Sequence, residues 1–291
     1  MVRSLFPYLP IRYLPVSDYW KTRLWAAAMP KPRGHVADWA YHRCIELATR
    51  GFATSAGYGT AFPGAGNPSS SYSMLEFGVA GGRTFQLLLH FRDVWLRRMR
   101  LQNRVHAYGF DTFEGLPPAR GGDTSAPWRP GDFHSDADEI RRKLAREGFG
   151  DFTLVKGLFK DTLATQVEAF AASPPVFVSV DCDYYSSTID IFDALLPDLA
   201  PHGCLFYFDD VSIDFYSDLS GELKAIAEVN RGRYGRHIQL VHYPLWIETK
   251  EMRHYLQVYR LVNIKKAEAQ RARIPKRAIR PAPHRGRISP A

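Results

Sequence analysis

From Met74 onward the chain alternates short runs of strand-forming residues with longer runs of helical periodicity, and nothing else in the sequence restricts the fold as much. "MLEFGV" reads as a strand, "TFQLLLHFRDVWLRRM" as a helix, "VHAYGFD" as a strand, "DADEIRRKLAREG" as a helix, "DFTLVKG" as a strand and "DTLATQVEAFAA" as a helix. The series continues through "PVFVSVD", "TIDIFDALLPDL", "GCLFYFDD" and "GELKAIAEVN", and closes on "IQLVHY" and "YLQVYRLV". Strands separated by helices need crossover connections, so the pattern predicts an α/β fold: a doubly wound, mostly parallel seven-stranded sheet with both faces covered. No helix pattern separates the last two strands, which predicts an antiparallel hairpin at one edge.

The flanks differ in composition. Residues 1–35 are rich in Pro, Tyr and Trp, and lead into a helix, "VADWAYHRCIELATR", with Ala40, Cys44, Ile45 and Leu47 on one stripe. "GFATSAGYGTAFPGAGNPSSSYS" is a loop of the length found in lids. The expected organisation is an N-terminal cap and lid over 1–72, an α/β domain over 73–263 and a basic, disordered tail over 264–291. The formal net charge of +8 raises a nucleic-acid or lipid reading, but the charge is terminal. Nine Lys/Arg and one acid follow Ile264; removing them from the chain's 38 bases and 30 acids leaves 29 of each. The body is therefore neutral, and contact of the tail with nucleic acid or lipid is a minor alternative. Cys44, Cys182 and Cys204 show no metal-ligand spacing, and Cys182 and Cys204, in apolar runs, suit buried thiols in a reducing compartment. With no continuous apolar leader and no run near the ~20 residues of a membrane span, a cytoplasmic protein is expected.

In such sheets ligands bind beyond the carboxyl ends of the strands. Three stretches fall there. "EFGVAGG", Glu76 to Gly82, is a strand-to-helix turn whose glycines allow close backbone approach and whose helix end offers free amides. Its match to a dinucleotide fingerprint is poor, with Ala80 in the middle position, and Glu76 would repel a pyrophosphate. An amino-bearing, phosphate-free ligand such as S-adenosylmethionine suits it better, although a tight turn without a ligand accounts for the same residues. In "YGFDTFEGLP", Asp111 can accept both hydroxyls of a ribose; alternatively, Asp111 or Thr112 merely opens a turn.

The third stretch is "VSVDCDYYSST". On a strand side chains alternate faces, so Asp181 and Asp183 share one face and Cys182 takes the other. Asp209 and Asp210 close the next apolar run and should lie beside Asp183. Carboxylates converging at a dry rim repel unless a cation is present, and an all-oxygen set fits Mg²⁺ or Ca²⁺. The competing reading is helix capping, with Ser187 and Asp190 as an approximate capping box. His134, in the insert after the second strand, is a second candidate base.

Taken in order, "LEFGVAGGRT", "GFDTFEGLP", "VKGLFKDTL", "VDCDYYSST" and "FDD" followed by "GELKAI" resemble the macrocin O-methyltransferase family of class I S-adenosylmethionine-dependent methyltransferases, from about Met74 to Val241. The resemblance implies an enzyme that methylates a hydroxyl of a sugar or glycosylated natural product, using S-adenosylmethionine and Mg²⁺. It implies cofactor contacts from Glu76, Gly78, Ala80, Gly82, Thr84, Asp111, Thr112, Phe113, Gly157 and Asp181. Asp183, Asp209 and Asp210 would hold the metal, with Asp183, or else His134, taking the proton. The N- and C-terminal segments do not align with the family, so the acceptor is left open, and a homo-oligomer is compatible. An NAD(P)-dependent oxidoreductase and a methyltransferase for a non-sugar molecule are the alternatives.

Overall fold

The computed structural model describes residues 37–53, 70–101, 104–123, 128–212, 219–243 and 257–272. Helix α1 (Ala37–Ala53) comes first, then β1 (Tyr72–Phe77), α2 (Arg83–Met99), β2 (Val105–Asp111), α3 (Ala137–Arg146) and β3 (Phe152–Lys156). Next come α4 (Phe159–Thr162), a 3₁₀ turn (Leu163–Gln166), α5 (Val167–Ala172), β4 (Pro175–Val180), α6 (Tyr185–Ala194) and β5 (Leu205–Phe208). The described chain ends with α7 (Gly221–Arg231), β6 (Ile238–His242), β7 (Val258–Asn263) and α8 (Ile264–Ala272).

The seven strands form one sheet in the order β3-β2-β1-β4-β5-β7-β6. Pairings from β3 to β5 are parallel, and β7 runs antiparallel to both β5 and β6. The last strand of the chain thus lies inside the last pair. Residues of β1, β4 and β5 are buried throughout, as an apolar run covered on both faces requires. Alternation within β5 sorts the core into two layers: Leu205 and Tyr207 join α1 and α2, whereas Phe206 and Phe208 join α6 and α7.

Some expectations shift. The "DTLATQVEAFAA" helix breaks into α4, a 3₁₀ turn and α5; the Thr162 and Thr165 hydroxyls donate to the carbonyls of Leu158 and Thr162 instead of leaving the backbone unchallenged. Helix α6 starts three residues before Thr188 and closes in a π turn, Leu195–Leu199, around Pro197, which has no N–H for the ladder. The tail expected to be disordered from Ile264 is helical to Ala272. There Lys266 N–H meets Asn263 Oδ1 at 3.1 Å and Lys266 Nζ donates to the carbonyls of Asp198 and Ala200 at 2.6 and 3.0 Å. Most of the expected cap, the lid loop and the rest of the tail lie outside the described residues. Among the described residues no helix is long and apolar enough to cross a membrane.

Candidate active site

The carboxyl ends of five strands are tied together by four further hydrogen bonds, one between each adjacent pair. Gly157 N–H donates to Asp111 O, Gly78 N–H to Phe110 O, Asp181 N–H to Phe77 O and Asp209 N–H to Val180 O, at 2.9, 2.9, 2.9 and 3.1 Å. Each loop therefore leaves its strand in register with its neighbour. The rim carries Gly78, Asp111, Asp181 and Asp209 on a rigid edge at the point where strand order reverses between β1 and β4.

Gly78 is obligatory for a reason other than ligand access. Its φ is +92°, and a Cβ there would lie 1.6 Å from the Asp181 carbonyl oxygen. Ala80 also has a positive φ, 43°, and its N–H donates to Asp111 Oδ2 at 2.8 Å, while Phe113 N–H donates to Asp111 Oδ1 at 2.7 Å. Asp111 thus shapes both the glycine turn and its own loop. Oδ2 still has a lone pair for a hydroxyl, while Oδ1 also lies 3.5 Å from the Thr112 hydroxyl.

A cavity of about 570 Å³ opens at this rim. Of the expected cofactor residues, Gly78, Ala80, Asp111, Thr112 and Asp181 line it, as do Asp183, Asp209 and Asp210. Gly82, Phe113 and Gly157 do not line it: Gly82, at φ +80°, is the N-cap of α2, and a Cβ there would meet Ile140 at 2.9 Å. His134 is exposed and is not part of the wall, although the neighbouring Phe133 is.

Glu76 also departs from expectation. It is fully buried, and its carboxylate accepts from the hydroxyls of Tyr41 on α1 and Thr84 on α2, the latter at 2.9 Å. Burial pushes its pKa up from 4.5 to about 8, against the lowering effect of the two hydroxyls. Above pH 4.5 the unfolded chain releases this proton while the folded chain keeps it to about pH 8, so stability falls across that window as pH rises. Glu76→Gln should remove a slope of up to ~1.4 kcal/mol per pH unit in the ligand-free protein. Thermal melts of both proteins from pH 5 to 8 check this; a constant difference between them would contradict it.

The acid cluster is arranged differently from an extended strand. β4 ends at Val180, and Asp183 sits at φ 59°, so alternation does not carry through Asp181–Asp183. The oxygens of Asp181, Asp209 and Asp210 lie within 4.8 Å of one another and could hold a metal ion; Asp183 lies beside them, its N–H donating to Asp210 Oδ2 at 3.1 Å. Cys182 turns into the core. Burial and then the neighbouring carboxylates push Asp181 and Asp210 well above the usual carboxylate range. Burial, then Asp209, raises Asp183 to about 6, with the Trp128 side chain opposing through a hydrogen bond. These are the signs of a cluster that lacks compensating positive charge.

Ser187 does not cap α6. It is buried inside the helix, and the first turn is held instead by Asp123, whose carboxylate accepts from Ser186 N–H and Oγ, both at 2.7 Å. Arg120 of the same loop donates to Ser186 Oγ and to Asp190 Oδ2, so the β2–α3 insert is stitched to α6 along the cavity wall. Sequence reading also missed Tyr207, whose hydroxyl donates to Asp209 Oδ1 at 3.0 Å, together with Gln257 and Glu222 behind the acid pair. Glu222 looked like any acid in a helical first turn. The polar Gln257 opening an apolar strand run was the available signal.

Mostly parallel sheets wound in this order with an antiparallel edge, and with a cavity over the β1–β4 crossing, are those of class I methyltransferases. The fold is shared with the O-methyltransferase NovP (TM-score 0.52, 18% identity, covering 77% of this chain and 79% of that one) and with CalS11, a calicheamicin methyltransferase (0.54, 15%, 86% and 88%). The chain belongs to the macrocin-O-methyltransferase (TylF) family, whose model matches residues 73–228. It is also 31% identical over 134 residues to the 8-demethyl-8-(2,3-dimethoxy-alpha-L-rhamnosyl)-tetracenomycin-C 4'-O-methyltransferase of Streptomyces olivaceus. That alignment covers 43% of this chain and 46% of the relative, so the chain spans about half the length of the curated relative it matches.

Proposed function

We propose that the protein is an S-adenosylmethionine- and Mg²⁺-dependent O-methyltransferase acting on a hydroxyl of a sugar or glycosylated natural product, with residues 73–263 as the catalytic domain. The observation that carries this reading is the trio Asp181, Asp209 and Asp210, converging within 4.8 Å in the cavity that also holds the glycine turn and Asp111. The rhamnosyl acceptor in the relative's name supports the substrate class. Three free, buried cysteines support a reducing compartment such as the cytoplasm.

The residues present fit both groups. Asp111 would receive the ribose hydroxyls, and the Gly78–Ala80 turn would face the methionine portion. S-adenosylmethionine brings a methyl group already attached to a sulfonium leaving group. An all-carboxylate donor set suits a hard divalent cation, and Asp181, Asp209 and Asp210 would hold it. Such a cation supplies Lewis-acid polarisation and orientation of an acceptor hydroxyl. Asp183 has the remaining task. Standing beside the trio on the cavity wall, it would accept the proton of the acceptor hydroxyl. The wall formed by Leu116, Pro117, Trp128 and Phe133 shelters the transfer from water.

The test is transfer of labelled methyl from S-adenosylmethionine to a rhamnosyl glycoside. EDTA is expected to lower the rate by about 100-fold or more, consistent with several kcal/mol of charge stabilisation, and added Mg²⁺ to restore it. Undiminished transfer in EDTA would remove the cation from the proposal.

A further inference from the structure

We propose that Glu222 and Gln257 are positioning residues that clamp the peptide group joining Asp209 to Asp210, and thereby set where two carboxylates of the proposed cation site stand. The inference rests on the cation reading above. Asp209 C=O and Asp210 N–H belong to one planar amide. Gln257 Nε2 donates to that carbonyl at 3.0 Å, and that N–H donates to Glu222 Oε2 at 3.2 Å. The two side chains come from different elements, the first turn of α7 and the residue before β7, and are 0% and 1% exposed. A rotation of this amide would swing both carboxylates, and the clamp blocks it from each side.

Glu222 is costly where it stands. It is a fully buried acid whose Oε1 has no hydrogen-bond partner among the described residues, and it faces three other carboxylates. An acid that only served the helix dipole would lie in solvent, where its charge is hydrated. An apolar residue would fill the space at less cost. What an apolar residue could not do is accept the Asp210 N–H.

The test is calorimetric titration of Mn²⁺ into the full-length parent protein and into Glu222→Leu, Gln257→Leu, their double variant and Glu222→Gln, with S-adenosylmethionine affinity measured alongside. Each Leu variant is expected to bind Mn²⁺ about 10- to 100-fold more weakly, as loss of a ligand-orienting partner does elsewhere. Glu222→Gln keeps an acceptor oxygen and should stay within about threefold of the parent, a difference that loss of structure alone would not produce. The double variant should lose less than the product of the single losses, because both side chains act on one amide. Parent-like S-adenosylmethionine affinity reports that each variant is folded; if Glu222→Leu does not fold, Gln257→Leu decides. Mn²⁺ affinity equal to the parent's in the folded Leu variants would overturn the clamp and leave the cation site standing. A parent that binds no Mn²⁺ would overturn both.

Discussion

Asp183→Asn is expected to lower turnover by about three orders of magnitude while S-adenosylmethionine affinity stays within a few-fold, since a positioned general base contributes roughly 10²–10⁴. Asn tolerates the left-handed φ of 59° that Asp183 adopts, so the backbone N–H that donates to Asp210 should hold its place. The proton acceptor is what disappears. Asp111 and the Gly78–Ala80 turn, which would carry the cofactor, lie at the ends of other strands. Single-turnover transfer of labelled methyl, with calorimetry for cofactor binding, measures the two effects separately. A variant that keeps a tenth or more of the parent's turnover would assign the base elsewhere.

Gly78→Ala is expected to cost more than 4 kcal/mol of stability, a large part of the ~5–15 kcal/mol typical of a domain. The added Cβ would fall 1.6 Å from the Asp181 carbonyl oxygen, and the residue is held at φ +92°. Backbone cannot retreat there, because Gly78 N–H is bonded to Phe110 O and Asp181 N–H to Phe77 O. Three positions later in the same turn region, a Cβ on Gly81 would meet nothing within 4 Å. Gly81→Ala should therefore change stability by less than about 0.5 kcal/mol. Denaturant unfolding of the two variants gives the comparison, and a soluble Gly78→Ala protein with the parent's midpoint would contradict the account.

The strands were legible because a strand buried on both faces has to be an apolar run, and "MLEF", "PVFVSV" and "LFYF" are such runs. The rim was legible for the same reason: polar residues that end these runs must sit where the sheet stops. Partners brought in from elsewhere in the chain were not legible. Glu76 reads as a ligand-facing acid until Tyr41, 35 residues earlier, closes over it. Ser187 reads as a cap until Asp123, from a loop 63 residues before its target Ser186, takes that role. The Asp181–Asp183 alternation fails because β4 ends one residue before it, and strand ends are set by tertiary pairing as much as by local pattern. At the other end of the domain, local charge and proline content suggested disorder at Ile264, but contacts from Lys266 to carbonyls beyond α6 hold a helix there.

Titration calorimetry of S-adenosylmethionine and of NAD into the purified protein tests the central claim most directly, because it needs no knowledge of the acceptor. Saturable one-to-one binding of S-adenosylmethionine, competed by S-adenosylhomocysteine, with no heat from NAD, is the predicted result. Saturable binding of NAD with none of S-adenosylmethionine would contradict it.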